Sequence, residues 1–194
     1  MSHQVINLTK GTNTEIGFTN LTVGLGWEPN EGTGAKFDLD ISAIMIDKDR
    51  KLPNGDYFVF YNNLTSPDGA VTHTGDDPDG RFSNGNDDES IIIDLKKLNP
   101  VIEEILFVVT INDAVANKQN FGQVRDSYIR VVDNQTNKEV LKYELGEDFS
   151  IETGIEFGRL YKKNNAWKFG ASGIGYREDL SFFLSKYFTG TIKK

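Results

Sequence analysis

Apolar and polar residues alternate at the start of segment 36–47. Phe37, Leu39 and Ile41 fall on one face of an extended chain, and Asp38, Asp40 and Ser42 on the other. The pattern predicts a strand. Short apolar segments bounded by turn residues recur at 21–27, 56–61, 70–74, 90–95, 105–111, 127–133 and 139–145. Glycines at 24 and 26 inside the first of these mark a bulge or a close approach by another group. Segments 155–162 and 166–171 flank Asn164-Asn165 and predict a hairpin. Only one long segment has helical spacing: Leu180, Phe183, Leu184, Tyr187 and Phe188 form a single apolar stripe after Glu178-Asp179. A shorter helical turn is expected at 95–98, ended by Asn99-Pro100. No internal repeat or long linker divides the chain. The expectation is one mostly β domain over residues 1–194, a β-sandwich with a C-terminal amphipathic helix.

Composition narrows the chemistry. The 194 residues carry 21 Lys+Arg against 29 Asp+Glu, a net charge of -8. Phosphate backbones and anionic lipid would repel such a chain, so no nucleic-acid or membrane partner is expected. There is no cysteine, which removes disulfides, thiolate nucleophiles and cysteine-based zinc sites together. Two histidines, His3 and His73, exclude a three-histidine metal centre. No apolar run approaches the ~20 residues of a membrane span, and residues 1–4 lack a secretion-signal pattern. A cytoplasmic location is expected.

The most informative stretch is 75–89, GDDPDGRFSNGNDDE. Its six acids (Asp76, Asp77, Asp79, Asp87, Asp88, Glu89) against Arg81 contribute -5 of the total -8. Two carboxylates about 4 Å apart repel by about 4 kcal/mol at an effective dielectric of about 20. A compact loop therefore requires a positive charge. Ca²⁺ fits better than Mg²⁺, because it accepts about six to eight irregularly placed oxygens. Asp38 and Asp40, two residues apart on one strand face, also lack an evident counter-charge. Asn112-Asp113 follow directly on strand 105–111 and could join a cluster of loops at one end of a sandwich. The alternative at each place is plain solvated surface or a simple turn. An EF-hand is excluded: with Gly80 as its glycine, Gly75 and Asn86 would occupy the required Asp and Glu positions. His73 reads as a structural, hydrogen-bonding residue, and Gly24-Leu25-Gly26 as strand packing without a dinucleotide loop.

Five segments carry a wider resemblance: TVGLGW at 22–27, FDLDISA at 37–43, FVFYNNLTSPDGAVTHTGD at 58–76, NDDE at 86–89 and NFGQVRDSYIRVVD at 120–133. In this order they resemble the TerD family of tellurium-resistance and stress-response proteins, over about 22–175. The resemblance implies a β-sandwich holding two calcium ions in acidic loops at one end, without enzymatic activity. It also implies cytoplasmic stress-response complexes as partners. A slime-mould relative described as cAMP-binding supplies a ligand-binding alternative. Carried over to this chain, the metal site comprises Asp38, Asp40, Asp76, Asp77, Gly85, Asp87, Asp88, Glu89 and Asp113, with backbone oxygens around Asn62-Asn63. Asn112 stands where the family commonly has histidine. Pro78, Arg81 and Phe82 depart from the usual loop, which weakens the case for Asp77 and Asp79 as ligands.

Three functions follow for comparison. The first is a non-enzymatic, calcium-ordered module of a stress-response assembly. The second is a metal-dependent binder of a small nucleotide or phosphate, with Arg81, Arg125 and Arg130 as cations. The third, a two-ion phosphoesterase, lacks a defensible nucleophile–base pair. The first is the expectation.

Overall fold

A computed structural model of the chain describes residues 5–7, 9–30, 34–81, 87–145, 149–188 and 190. In chain order the strands are β1 (Ile6–Asn7), β2 (Asn13–Glu15), β3 (Asn20–Gly26), β4 (Leu39–Ile46), β5 (Phe58–Val59) and β6 (Val71–His73). There follow β7 (Glu89–Asp94), β8 (Glu104–Ile111), β9 (Tyr128–Asp133), β10 (Lys138–Glu144), β11 (Gly154–Lys163) and β12 (Ala166–Tyr176). Helix α1 (Ala114–Asn117) follows β8, and α2 (Leu180–Tyr187) follows β12.

Two six-stranded sheets result, ordered β1-β10-β9-β3-β7-β6 and β2-β12-β11-β8-β4-β5. All pairings are antiparallel except that of β1 with β10. A continuous apolar core joins them, with Leu21, Val23 and Leu25 from β3, Ile41 and Ala43 from β4, and Phe107, Phe157 and Phe169 fully or almost fully buried. The architecture is the expected mostly β one with a C-terminal helix. Asp179 begins that helix, accepting hydrogen bonds from the backbone amides of Ser181 and Phe182. Asn164 and Asn165 both have positive φ (53° and 61°), as a type I′ hairpin turn requires.

Several elements differ from expectation. Segment 95–98 is a turn and not helical: the Asp94 carboxylate and carbonyl accept from the amides of Lys96 and Lys97. Segment 56–61 begins with the 3-10 turn Gly55–Tyr57 before the short β5. The polar face of β4 is not solvated. All eight β4 residues are buried, because β4 lies inside its sheet and α2 packs against it. Asp40 and Ser42 are thereby carried into the interior.

Candidate metal centre

Strands β4 and β8 pair with Leu39 opposite Ile111, so Asp38 and Asn112 leave the sheet side by side. The Asn112 amide donates to the Asp38 carbonyl at 2.8 Å. Its side-chain Nδ2 donates to Asp38 Oδ2 at 3.0 Å. The clamp fixes one carboxylate at the sandwich end. Asp40, one strand pleat further in, points the same way. The third group comes from the other sheet, where β6 ends at His73 and Gly75 takes φ of 121°, a conformation side chains rarely adopt. That turn brings Asp76 over the start of β4. Carboxylate oxygens of Asp38, Asp40 and Asp76 lie within 4.8 Å of one another.

Nothing positive sits among these three in the described residues, and their electrostatics record it. Burial raises the Asp40 carboxyl to about 8, with the charges of Glu89, Asp38 and Asp76 adding to the effect. Burial likewise raises Asp38, against the Asn112 hydrogen bond and with help from the charges of Asp76, Asp113 and Asp77. Asp38 Oδ1 is buried and has no hydrogen-bond partner. Three hard oxygen donors, one of them an orphaned acceptor, fit a divalent cation. Asp113 borders the cluster: it has left-handed φ of 50°, is exposed, and precedes α1 without capping it.

The remaining acids of the loop are tied to protein groups. Asp77 is buried, and its Oδ1 accepts from the amides of Gly80 at 3.1 Å and Asp79 at 3.3 Å. Asp79 pairs with Lys36 and, at 3.6 Å, with Arg81. Asp87 receives Arg130 Nε at 2.7 Å and Nη2 at 3.1 Å, plus the Tyr128 hydroxyl. This pairing also explains Gly24. A Cβ there would lie 2.0 Å from Asp87 Oδ2, so the carboxylate rests directly on the β3 backbone. Asp88 Oδ2 accepts the Trp27 amide at 2.8 Å. Glu89 is buried and accepts from the amides of Ile41 (2.9 Å) and Asp77 (3.2 Å). Burial raises its carboxyl, opposed chiefly by the hydrogen bond from His73. Gly85, expected as a backbone ligand, lies outside the described residues.

Beside Asp40 opens a groove of about 630 Å³ between α1 and the first turn of α2. Tyr61, Asp113 and Arg177 are among its walls. Sequence patterns did not single out Tyr61 or Arg177, because only the folded chain brings them to the groove that Asp40 lines.

The motif order, the sandwich and this cluster now meet an independent comparison. The model of the TerD domain matches residues 4–187, nearly the whole chain. The chain belongs to the TerD family. It is 44% identical over 187 residues to the tellurium resistance protein TerD of an Alcaligenes species, covering 94% of this chain and 96% of that protein. Identity to the general stress protein 16U of Bacillus subtilis (strain 168) is 42% over 188 residues, again 94% of this chain and 96% of the relative. The fold matches that of a crystallised TerD homologue from Streptomyces coelicolor A3(2) with a TM-score of 0.73. That match has 20% identity and covers 87% of this chain and 96% of the homologue. Among the described residues of this TerD-family chain, no helix is long and apolar enough to cross a membrane.

Proposed function

We propose that this TerD-family chain is a calcium-binding, non-catalytic protein of a stress-response system. The observation that carries the reading is the convergence of Asp38, Asp40 and Asp76 without a counter-charge among the described residues, beside a buried oxygen of Asp38 that lacks a donor there. The names of its relatives, a tellurium resistance protein and a general stress protein, support the physiological setting. Calcium suits the cluster because its donors are carboxylate oxygens from the start of β4 and from the separate turn after β6, and Ca²⁺ accepts irregular sets of oxygens where Mg²⁺ demands a near-ideal octahedron. The acids at 77, 79 and 87–89 are held by protein donors, so the cluster of Asp38, Asp40 and Asp76 accounts for one ion. Binding would neutralise the repulsion and fasten the two sheets at their open end. The loops so ordered would form the surface offered to protein partners of a cytoplasmic assembly.

The test is thermal unfolding in chelator, in excess CaCl₂ and in NaCl of matched ionic strength. Calcium at 100-fold over its dissociation constant should add about 2.7 kcal/mol per site. For a chain of this size that corresponds to a rise on the order of 5–10 °C per site. NaCl only screens exposed charge and should do far less. Coincident calcium and NaCl curves would refute the reading.

A further inference from the structure

The groove beside Asp40 is acidic whatever the cluster holds. Asp40, Asp113, Glu178 and Asp179 line it against one base, Arg177. Three carboxylates around a divalent ion still leave an excess negative charge, and Asp113 and Glu178 lie outside that cluster. Asp179 is committed to capping α2, with Oδ1 accepting from the Ser181 amide at 2.9 Å and from Ser181 Oγ. Asp113 and Glu178 are exposed, and neither carboxylate pairs with a base among the described residues. Arg177 is exposed as well, and its charge is felt by Glu152, which is not among the groove's walls.

The floor supplies an observation of a different kind. Asp40 and Thr110 are cross-strand partners on β4 and β8, so their side chains leave the same face of the sheet. They are only 5% and 3% exposed, and both line the groove. Among the described residues nothing hydrogen-bonds to the Thr110 hydroxyl or to the Asp40 carboxylate. Buried polar groups require partners, and a hydroxyl beside a carboxylate, both able to accept, matches a donor that carries positive charge. Tyr61 and Leu180 add an aromatic and an aliphatic wall. An aromatic face attracts a cation, and both walls suit a hydrocarbon stem. The groove volume lies in the range that small organic ligands occupy.

We propose that this groove binds a linear aliphatic polyamine, one ammonium held at the floor by Asp40 and Thr110, a second at the mouth by Asp113 and Glu178, and the carbon chain laid along Tyr61 and Leu180. A slender occupant is required, because the floor is almost wholly buried while the acids of the mouth are exposed. Acceptors at two depths require more than one ammonium. The proposal goes beyond the calcium reading and does not depend on it, since Thr110, Asp113 and Glu178 are not in the cation cluster. A metal ion on Asp40 would compete for the floor, so each ligand would weaken the other reciprocally.

The test is calorimetry with spermidine in chelator, at about 0.15 M NaCl, where long-range attraction to an acidic chain is screened. Spermidine should bind in one saturable step. Thr110→Val, which leaves the charge unaltered, should weaken it by about tenfold, the loss of a hydrogen bond to a charged group. Asp113→Asn combined with Glu178→Gln should weaken it too, whereas Asp49→Asn, an exposed acid beyond the other end of β4, should not. Arg177→Gln should not weaken it, because that change removes a competing positive charge. Should Thr110→Val fail to fold, the exposed pair at 113 and 178 set against Asp49→Asn decides the matter. No saturable binding, wild-type affinity in the double variant, or equal losses in all the acid variants would mark diffuse attraction and overturn the proposal. Weakening by Arg177→Gln would overturn it as well. Nα-acetyl-lysine methylamide, with a single ammonium, should bind far more weakly; equal affinity would give the groove to a lysine of a protein partner and overturn the polyamine assignment. Calcium is absent throughout, so failure here leaves the calcium reading intact, and failure of that reading leaves these results standing.

Discussion

His73 Nε2 and the Glu89 carboxylate lie 3.5 Å apart in the fully buried space between the sheets, and both attach to the backbone of Ile41. Strand β5 pairs with β4 only at Ala43 and Ile44, so Ile41 lies beyond its reach. Glu89 Oε2 accepts the Ile41 amide at 2.9 Å, and His73 Nε2 meets the Ile41 carbonyl at 3.1 Å. His73 Nδ1 accepts the Gly75 amide at 3.1 Å, which places the ring proton on Nε2, shared between the Ile41 carbonyl and the Glu89 carboxylate. Two side chains of one sheet thus replace a missing strand of the other. Buried backbone groups must be paired, and this is how these two are paired.

Glu89→Gln is therefore expected to destabilise the fold, whether or not metal is present. Glu89 accepts one amide on each oxygen, from Ile41 and from Asp77. A glutamine has one acceptor oxygen and would turn its NH₂ towards the other donor. Leaving that buried donor unsatisfied costs about 1–3 kcal/mol. Urea unfolding in chelator and in calcium checks this. A loss confined to the calcium condition would show Glu89 to be a ligand and not a strut.

Stability without metal should fall as pH rises. The Asp40 carboxyl goes from 3.8 when unfolded to about 8 in the fold, so the folded chain binds the extra proton between these values. Its contribution is complete below about pH 4 and is lost as pH climbs through about 8. Asp38 and Glu89 are raised too and act in the same direction. Calcium holds the carboxylates ionised, so the gap between calcium and chelator melting temperatures should widen from pH 5 to pH 8. Parallel pH profiles would contradict the cluster's assigned role.

Gly24→Ala should disturb the Asp87–Arg130 pair and little else. The new methyl would occupy the Asp87 carboxylate's place, and that carboxylate is gripped by Arg130 and Tyr128. Overpacking of this kind costs about 1–3 kcal/mol. Equilibrium unfolding of the variant gives the number; an unchanged midpoint would mean that Asp87 moves away freely.

Trp27 should report on the state of the acidic loop. Its buried indole Nε1 has no hydrogen-bond partner and lies against Gly80, where an added Cβ would sit 2.7 Å away. Calcium binding at the neighbouring cluster should change its emission through this contact. Trp167→Phe should retain that change and Trp27→Phe should lose it. The reverse assignment would place the calcium response elsewhere in the chain.

The limits of sequence reading follow from these same contacts. Alternation in 37–41 revealed β4 and put Asp38 and Asp40 on one face, because that pattern is local. It could not reveal that the face is buried, since α2 comes from about 140 residues later in the chain. Asp76 and Asp87 look alike in an acidic stretch; Arg130, a strand away, takes one and leaves the other to the cluster. Strands β1 and β2 are too short to set a period, and β1 is exposed. Helix α1 is a single turn, below the length at which a helical pattern registers. The aspartates were legible; their division into cation ligands and protein-bound struts required the fold.

The most direct measurement is a calcium titration by calorimetry of the stripped wild-type chain and of Asp40→Asn. The wild type should take up at least one ion, with calcium bound more tightly than magnesium. Asp40→Asn should remain folded, because the exchange removes a buried like charge, and it should lose the ion held by Asp38, Asp40 and Asp76. Identical isotherms for the two proteins would contradict the assignment, and so would a wild type that binds no calcium.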